Sequence, residues 1–186
     1  MVERCGWCGD DPIYVEYHDH EWGKPLRDSR ALWEMLILEG FQAGLSWITI
    51  LRRRETFRAA FAMFDPHIIA TWGEPEVVRL LADPGIIRHR GKVEATIGNA
   101  RAWQQLEAEG GFDRFIWAYV GGTTVQGNRA SLAEVPAQTP LSVQMAKDLQ
   151  RRGFKFCGPT IAYAFMQATG LVNDHVTACH CHAALA

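Results

Sequence analysis

Apolar positions along this chain recur mostly at helical spacing and seldom in strict alternation. Leu32, Met35 and Leu36 share one face of a segment that Asp28 or Ser29 can cap and that runs to about Glu39. A second helix is predicted from about Leu45 to Phe61. Asp65-Pro66 reads as a cap followed by a first-turn proline, opening a short helix. Another short helix starts near Glu74-Pro75 and carries Val77, Val78, Leu80 and Leu81. Asp83-Pro84-Gly85 is a turn signal, after which a long helix runs from about Arg90 to Glu109 and is closed by Gly110-Gly111. Phe112 to Val120 also reads as helical, and Gly121 to Thr139 is rich in loop formers. Helices from about Pro140 to Arg152 and from Pro159 to Thr169 complete an all-α prediction of about eight helices.

Composition adds bounds rather than detail. The 186 residues suit one domain, 1–186, and can bury a sizeable core. With 48% hydrophobic and 22% charged residues, the chain is neither disordered nor collagenous nor a coiled coil. No apolar run approaches the ~18 residues of a membrane span, and the N-terminus lacks a secretory pattern, so a cytoplasmic protein without membrane contact is expected. The net charge of −2 conceals an asymmetry. Residues 1–40 carry nine acidic and four basic side chains, whereas residues 41–186 carry twelve and fifteen. The bases cluster at Arg52-Arg53-Arg54, at Arg88-His89-Arg90 with Lys92, and at Arg151-Arg152 with Lys155. Each cluster reads alone as a solvated face; gathered by the fold they would form a phosphate-contacting surface.

The segment from about 75 to 109 places a Pro-Gly turn between two predicted helices. Such a turn exposes backbone N–H groups at the start of the second helix, which suits a phosphate, and Arg88, Arg90 and Lys92 add charge beside Gly85. A plain tight turn explains the pattern as well.

Five cysteines without a secretory signal point to metal or free thiols rather than disulfides. Cys5 and His18 lie near one end of the chain, and His175 and Cys179 near the other. The latter pair, at i and i+4, would point the same way on a helical turn. Two thiolates and two imidazoles suit a structural, tetrahedral zinc that fastens the chain ends together. Cys8, His20, His180, Cys181 and His182 offer competing choices, and spacing does not decide among them. A catalytic zinc is not expected, because no His-Glu-x-x-His and no deaminase motif occurs.

Trp7, Tyr14, Tyr17, Trp22 and Trp47 crowd the N-terminal quarter. Glu39 directly follows the apolar run Leu36-Ile37-Leu38. A carboxylate in that position is paired, exposed or functional. Ringed by aromatics it would suit a flat, electron-poor ring with donor groups; otherwise the aromatics are core and Glu39 is a solvated helix end.

Taken together, six segments resemble the 3-methyladenine DNA glycosylase I family, the constitutive bacterial type within the helix-hairpin-helix glycosylase superfamily. They are Glu3-Arg-Cys-Gly-Trp7, Tyr17-His-Asp-x-Glu-Trp-Gly23, Leu38-Glu-Gly-x-Gln-Ala-Gly-Leu-Ser-Trp-Ile-Thr49, Gly85-Ile-Ile-Arg-His-Arg-Gly-Lys92, Arg152-Gly-Phe-Lys-Phe156 and Gly170-Leu-Val-Asn-Asp-His-Val176. The resemblance spans residues 3 to 179 in order. It implies an all-α helix-hairpin-helix glycosylase fold with one zinc per chain on Cys5, His18, His175 and Cys179. It also implies a base pocket on Glu39, Tyr17 and Trp47, with Trp7 and Tyr14 nearby, and a loop at Gly44 and Leu45 that probes the DNA stack. The tail departs from the family pattern, with Ala178, His180 and His182 among Cys179 and Cys181, which bears on the last ligand.

The activity so implied is hydrolysis of the N-glycosidic bond of 3-methyladenine in alkylated double-stranded DNA by a monomer, with free 3-methyladenine as product. Glu39 would be the catalytic carboxylate and Gly85, Arg88, Arg90 and Lys92 would touch DNA. A gap-free count from Pro84-Gly85 puts His89 where bifunctional relatives carry lysine, so no lyase step is expected. A zinc-stapled DNA-binding module without chemistry is the competing expectation.

Overall fold

The computed structural model describes residues 2–185. Among them are eleven α-helices: α1 (Pro12–His20), α2 (Ser29–Gln42), α3 (Trp47–Leu51), α4 (Arg54–Ala60), α5 (Pro66–Ile69), α6 (Glu74–Ala82), α7 (Arg90–Glu109), α8 (Phe112–Trp117), α9 (Pro140–Arg151), α10 (Pro159–Ala168) and α11 (His180–Ala184). The caps expected from sequence are in place. The Asp28 side chain accepts from Ala31 N at the start of α2, and the Asp65 side chain accepts from His67 N at the start of α5. The long helix α7 ends at Gly110, whose φ of 143° is open only to glycine.

Two expectations need correction. The segment 45–61 is not one helix. It breaks at Arg52-Arg53 into α3 and α4, and the break brings the Arg53 guanidinium to the carbonyls of Pro84 and Ile86, at 3.2 and 3.5 Å. The helical class expected from the sequence holds, but a prediction of helices alone omits one small sheet. Two-residue strands β1 (Val125–Gln126) and β2 (Val172–Asn173) pair in parallel, Val125 opposite Val172. Strands this short leave no alternation to read.

The core forms around α2. Leu32, Trp33 and every residue from Met35 to Phe41 are buried, so α2 is enclosed on all sides rather than lying on the surface. It packs against α3, α7, α8 and α10. Close approach on one side is allowed by Gly40, where a Cβ would lie 3.0 Å from the Phe156 carbonyl oxygen. The chain ends meet beside this core: Gln126 Nε2 donates to Leu185 O at 2.8 Å, and His180 N donates to Glu3 O at 3.0 Å.

Candidate functional site

A cavity of about 380 Å³ opens beside the last turn of α2. Trp7, Tyr14, Tyr17, Trp22 and Trp47 all line it, together with Glu39, Gln42, Leu132, Val135, Ala164, Gln167 and Asp174. The aromatic residues of the N-terminal quarter are therefore a wall rather than a core. They brace one another at their edges: Trp7 lies 5.0 Å from Tyr14 and 5.0 Å from Trp22, and Tyr17 lies 5.6 Å from Trp47. The polar tips of this wall, Trp7 Nε1, Tyr17 Oη and Trp47 Nε1, have no protein partner among the described residues. Buried polar groups are normally paired, so three unpaired ones around a single cavity mark a place for a ligand.

Glu39 is the group that gives this cavity its chemistry. It is 4% exposed, and no protein donor reaches its carboxyl among the described residues. Burial alone pushes its pKa up to about 8. The other buried acid, Asp174, holds hydrogen bonds from Tyr163 and Gln167. Burial thus favours the protonated form of Glu39, and a cation in the cavity would draw it into the ionised form.

Beneath the aromatic wall the chain ends bring Cys5, His18, His175 and Cys179 together, all buried, with their four ligand atoms within 4.8 Å of one another. Cys5 Sγ to His175 Nδ1, Cys179 Sγ to His175 Nδ1 and Cys179 Sγ to His18 Nε2 are each 3.5 Å. A tetrahedral ion with metal–sulfur bonds of about 2.3 Å and metal–nitrogen bonds of about 2.0–2.1 Å requires edges of about 3.5 Å. The outer ring nitrogens are also accounted for. His18 Nδ1 donates to Asp19 Oδ1 at 2.7 Å, and His175 Nε2 donates to Trp22 O at 3.1 Å, so the inner nitrogens are the unprotonated ones; that of His18 also takes a long contact from Cys5 N at 3.3 Å. Arg4 holds Asp19 in turn and keeps its carboxyl well below the usual range. Burial pushes the Cys5 thiol up to about 12 and the His175 imidazole down to about 4. A dry pocket that disfavours thiolates is stabilised by a cation that restores them. The donor set fits a metal ion.

The four ligands converge, but not as the i, i+4 spacing implied. Residues 174–179 are not helical; the chain leaves β2, and Cys179 N donates to Val176 O in a tight turn. Cys181, the competing thiol, lies outside the four-residue cluster, 3.4 Å from His180 Nε2.

The turn between α6 and α7 is tied down from behind. Thr56 Oγ1 donates to Gly85 O at 2.6 Å, Gly85 N donates to Asp83 Oδ1 at 2.7 Å, and a Cβ at Gly85 would lie 3.0 Å from Thr56 Cβ. Arg88 is exposed on this turn. Arg90 is exposed too, but its guanidinium is shared between Glu74 and Glu94. Lys92 is not on this surface. It is 7% exposed, and its ammonium donates to the carbonyls of Phe41 and Ala43, at 2.9 Å each. Lys92 therefore closes the C-terminus of α2, which carries Glu39, and supports the following loop, where Gly44 takes φ of 84° and Leu45 stands 42% exposed. Replacing Lys92 by methionine leaves those carbonyls unpaired. Hydrogen bonds to a charged group are each worth about 1.5–3 kcal/mol. Both bonds are lost, so a fall in melting temperature of at least about 6 °C is expected in a thermal melt.

Gln42 and Asp174 stand within segments that carry the resemblance but have no role implied by it, and Gln167 carries no signal in the sequence. The role of Asp19 was legible only in its adjacency to His18.

The profile of the family described as methyladenine glycosylase matches residues 7–182. DNA-3-methyladenine glycosylase 1 of Escherichia coli (strain K12) is 53% identical over 182 residues, 97% of each chain. A crystal structure of a 3-methyladenine DNA glycosylase I superposes with a TM-score of 0.95 at 56% identity, covering 97% of this chain and all of that one. The glycosylase I of Staphylococcus aureus, solved to explain its recognition of 3-methyladenine, superposes with a TM-score of 0.93 at 38% identity, covering 96% of each chain.

Proposed function

Since the chain belongs to the methyladenine glycosylase family, we propose that it is a DNA-3-methyladenine glycosylase that hydrolyses the N-glycosidic bond of 3-methyladenine in alkylated duplex DNA, as a monofunctional, single-domain monomer. The observation that carries this reading is Glu39, a carboxyl buried without a protein donor in an aromatic-walled cavity. A non-catalytic DNA-binding module has no use for such a group.

The chemistry follows from the substrate's charge. Alkylation at N3 makes the purine cationic, so it departs as a neutral base and needs little acid catalysis. The damaged nucleotide leaves the stack, at a cost of a few kcal/mol, and its ring enters between the aromatic walls. Ionised Glu39 accepts from the donor edge of the base and favours the cation over an unmodified purine. The bond from C1′ to the base breaks, the oxygen of a water adds to C1′, and one proton passes to solvent. The products are free 3-methyladenine and an abasic site.

On this reading α6, its turn and α7 form the helix-hairpin-helix that meets the DNA backbone through Gly85 and Arg88, with Arg90 partly screened by its two glutamates. Gly44 and Leu45, in the loop between the cavity residues Gln42 and Trp47, probe the stack. Cys5, His18, His175 and Cys179 hold one zinc, whose role is to fasten the chain ends beneath the aromatic wall. The protein works in the cytoplasm; among the described residues no helix is long and apolar enough to cross a membrane.

Incubation with methylated duplex DNA tests the activity. Free 3-methyladenine appears and the strand stays intact until alkali cleaves it at the abasic sites. Binding of the DNA with no base released would overturn the reading. Replacing Arg88 and Arg90 with alanine weakens binding to every duplex alike and reduces the salt dependence by about one or two counterions, with base preference unchanged. Titrations at several salt concentrations read both effects.

A further inference from the structure

Gln167, on α10, lines the same cavity as Glu39, and nothing above uses it. Its amide nitrogen donates to Asp174 Oδ2 at 2.9 Å. The Tyr163 hydroxyl donates to the same oxygen, and Arg129 Nε lies 3.5 Å from Asp174 Oδ1. Asp174 is wholly buried and seated against Gly127, where a Cβ would fall 2.0 Å from Oδ1. The carboxylate has no room to rotate away, and a carboxylate only accepts hydrogen bonds. The two ends of a glutamine amide are told apart by their partners. Gln167 must therefore give its NH₂ end to Asp174, which turns Oε1 to the other side. Among the described residues the Gln167 side chain makes no other hydrogen bond, and Asp174 Oδ1 is itself left without a hydrogen-bond partner.

We propose that Gln167 is a second base-reading residue, presenting a fixed carbonyl acceptor to the purine, and that Asp174 is the positioning residue that keeps the amide from flipping. The inference rests on the cavity being the 3-methyladenine site. The N6 amino group of adenine has two hydrogens. Glu39 takes one and Gln167 the other. A guanine ring puts the O6 acceptor at that edge, where it meets two acceptors. Selectivity is then built from one titratable acceptor and one whose polarity is set from behind.

Two variants test this: Gln167→Leu, which removes the acceptor and keeps the bulk, and Asp174→Asn, which can itself donate and so lets the glutamine turn its NH₂ to the cavity. Free 3-methyladenine is titrated against the fluorescence of the cavity tryptophans, and the bases released from one sample of methylated DNA are separated and counted. Gln167→Leu should weaken 3-methyladenine binding about tenfold, near 1.4 kcal/mol, in protein that still folds cooperatively although Asp174 has lost one donor. Asp174→Asn should lower the ratio of 3-methyladenine to 3-methylguanine released at least fivefold. Wild-type affinity in Gln167→Leu overturns the proposal, and so does an equal loss for both bases in Asp174→Asn. If Asp174→Asn does not fold, Gln167→Leu decides alone. A wild-type protein that releases no 3-methyladenine would instead overturn the reading of the cavity.

Discussion

Replacing Glu39 by glutamine should make the protein more stable and at least about 100-fold less active on 3-methyladenine. The two effects have one cause. Burial without a donor raises the Glu39 pKa to about 8, so the folded protein holds this proton more tightly than the unfolded chain, where the ordinary value is 4.5. A group with a raised pKa contributes fully to stability below its unfolded pKa, and the contribution is lost as pH climbs through the folded one. Between pH 4.5 and 8 the empty wild-type enzyme therefore loses stability that Glu39→Gln retains, on the order of 3 kcal/mol at pH 7 from 1.36 kcal/mol per unit. The melting temperatures of variant and wild type should lie close together at pH 5 and diverge by pH 8, since the titration of the other groups is common to both. The activity loss arises because the neutral amide cannot balance a cationic purine. Removing one preorganised electrostatic partner of the reacting group typically costs 10²–10³ in rate. In the wild type, kcat/KM should rise about tenfold per unit up to pH 8 and then level off, as Glu39 ionises to meet the cation. A glutamine variant that keeps that pH profile would remove Glu39 from the chemistry.

The second large effect is on the metal. Purified protein should carry about one zinc per chain, and Cys179→Ser or exhaustive chelation should remove it. Three consequences of the geometry set the magnitude. Four buried ligands lose their common partner, the two chain ends are released from each other, and the aromatic wall loses its backing. His175 is tied to the backbone of Trp22, and the Trp7 ring lies 5.3 Å from that of His18. Releasing ends this far apart in the chain costs about 4–5 kcal/mol by loop closure alone, which lowers the melting temperature of a chain this size by roughly 8–20 °C. Affinity for free 3-methyladenine should fall with it. Metal analysis of protein purified without chelator, followed by melting with and without added zinc, checks the account. A metal-free protein with an unaltered melting curve would remove the metal.

Much of this architecture is legible in the sequence because capping chemistry is local. Asp28, Asp65 and Gly110 mark helix ends that the structure keeps. The helix α1 obeys the same rule through Asp11-Pro12, yet it escapes notice because its aromatic residues face a cavity rather than a core and leave no clear apolar stripe. The break at Arg52-Arg53 was not legible, since its cause is a tertiary contact with carbonyls some thirty residues further on. Lys92 misleads for the same reason. A lysine beside arginines reads as part of a basic face, but the helix turns it inward to the end of α2. Of the candidate site, the residue types and their resemblance to a family single out Glu39 and the four ligands. The placement of Gln167 against Asp174 depends on where α10 meets the segment after β2, and no spacing along the chain encodes that.

The central claim is that a buried carboxylate in an aromatic cavity selects a cationic adenine. The most direct test measures the bases freed from one sample of methylated duplex DNA, comparing 3-methyladenine with the far more abundant 7-methylguanine. Both are cationic lesions, so charge alone does not separate them. They differ at the edge that Glu39 faces, where adenine donates and guanine accepts, and a site built for the donor leaves a buried acceptor unpaired against guanine. The account predicts efficient release of 3-methyladenine with 7-methylguanine left in the DNA. Comparable release of the two bases would contradict it.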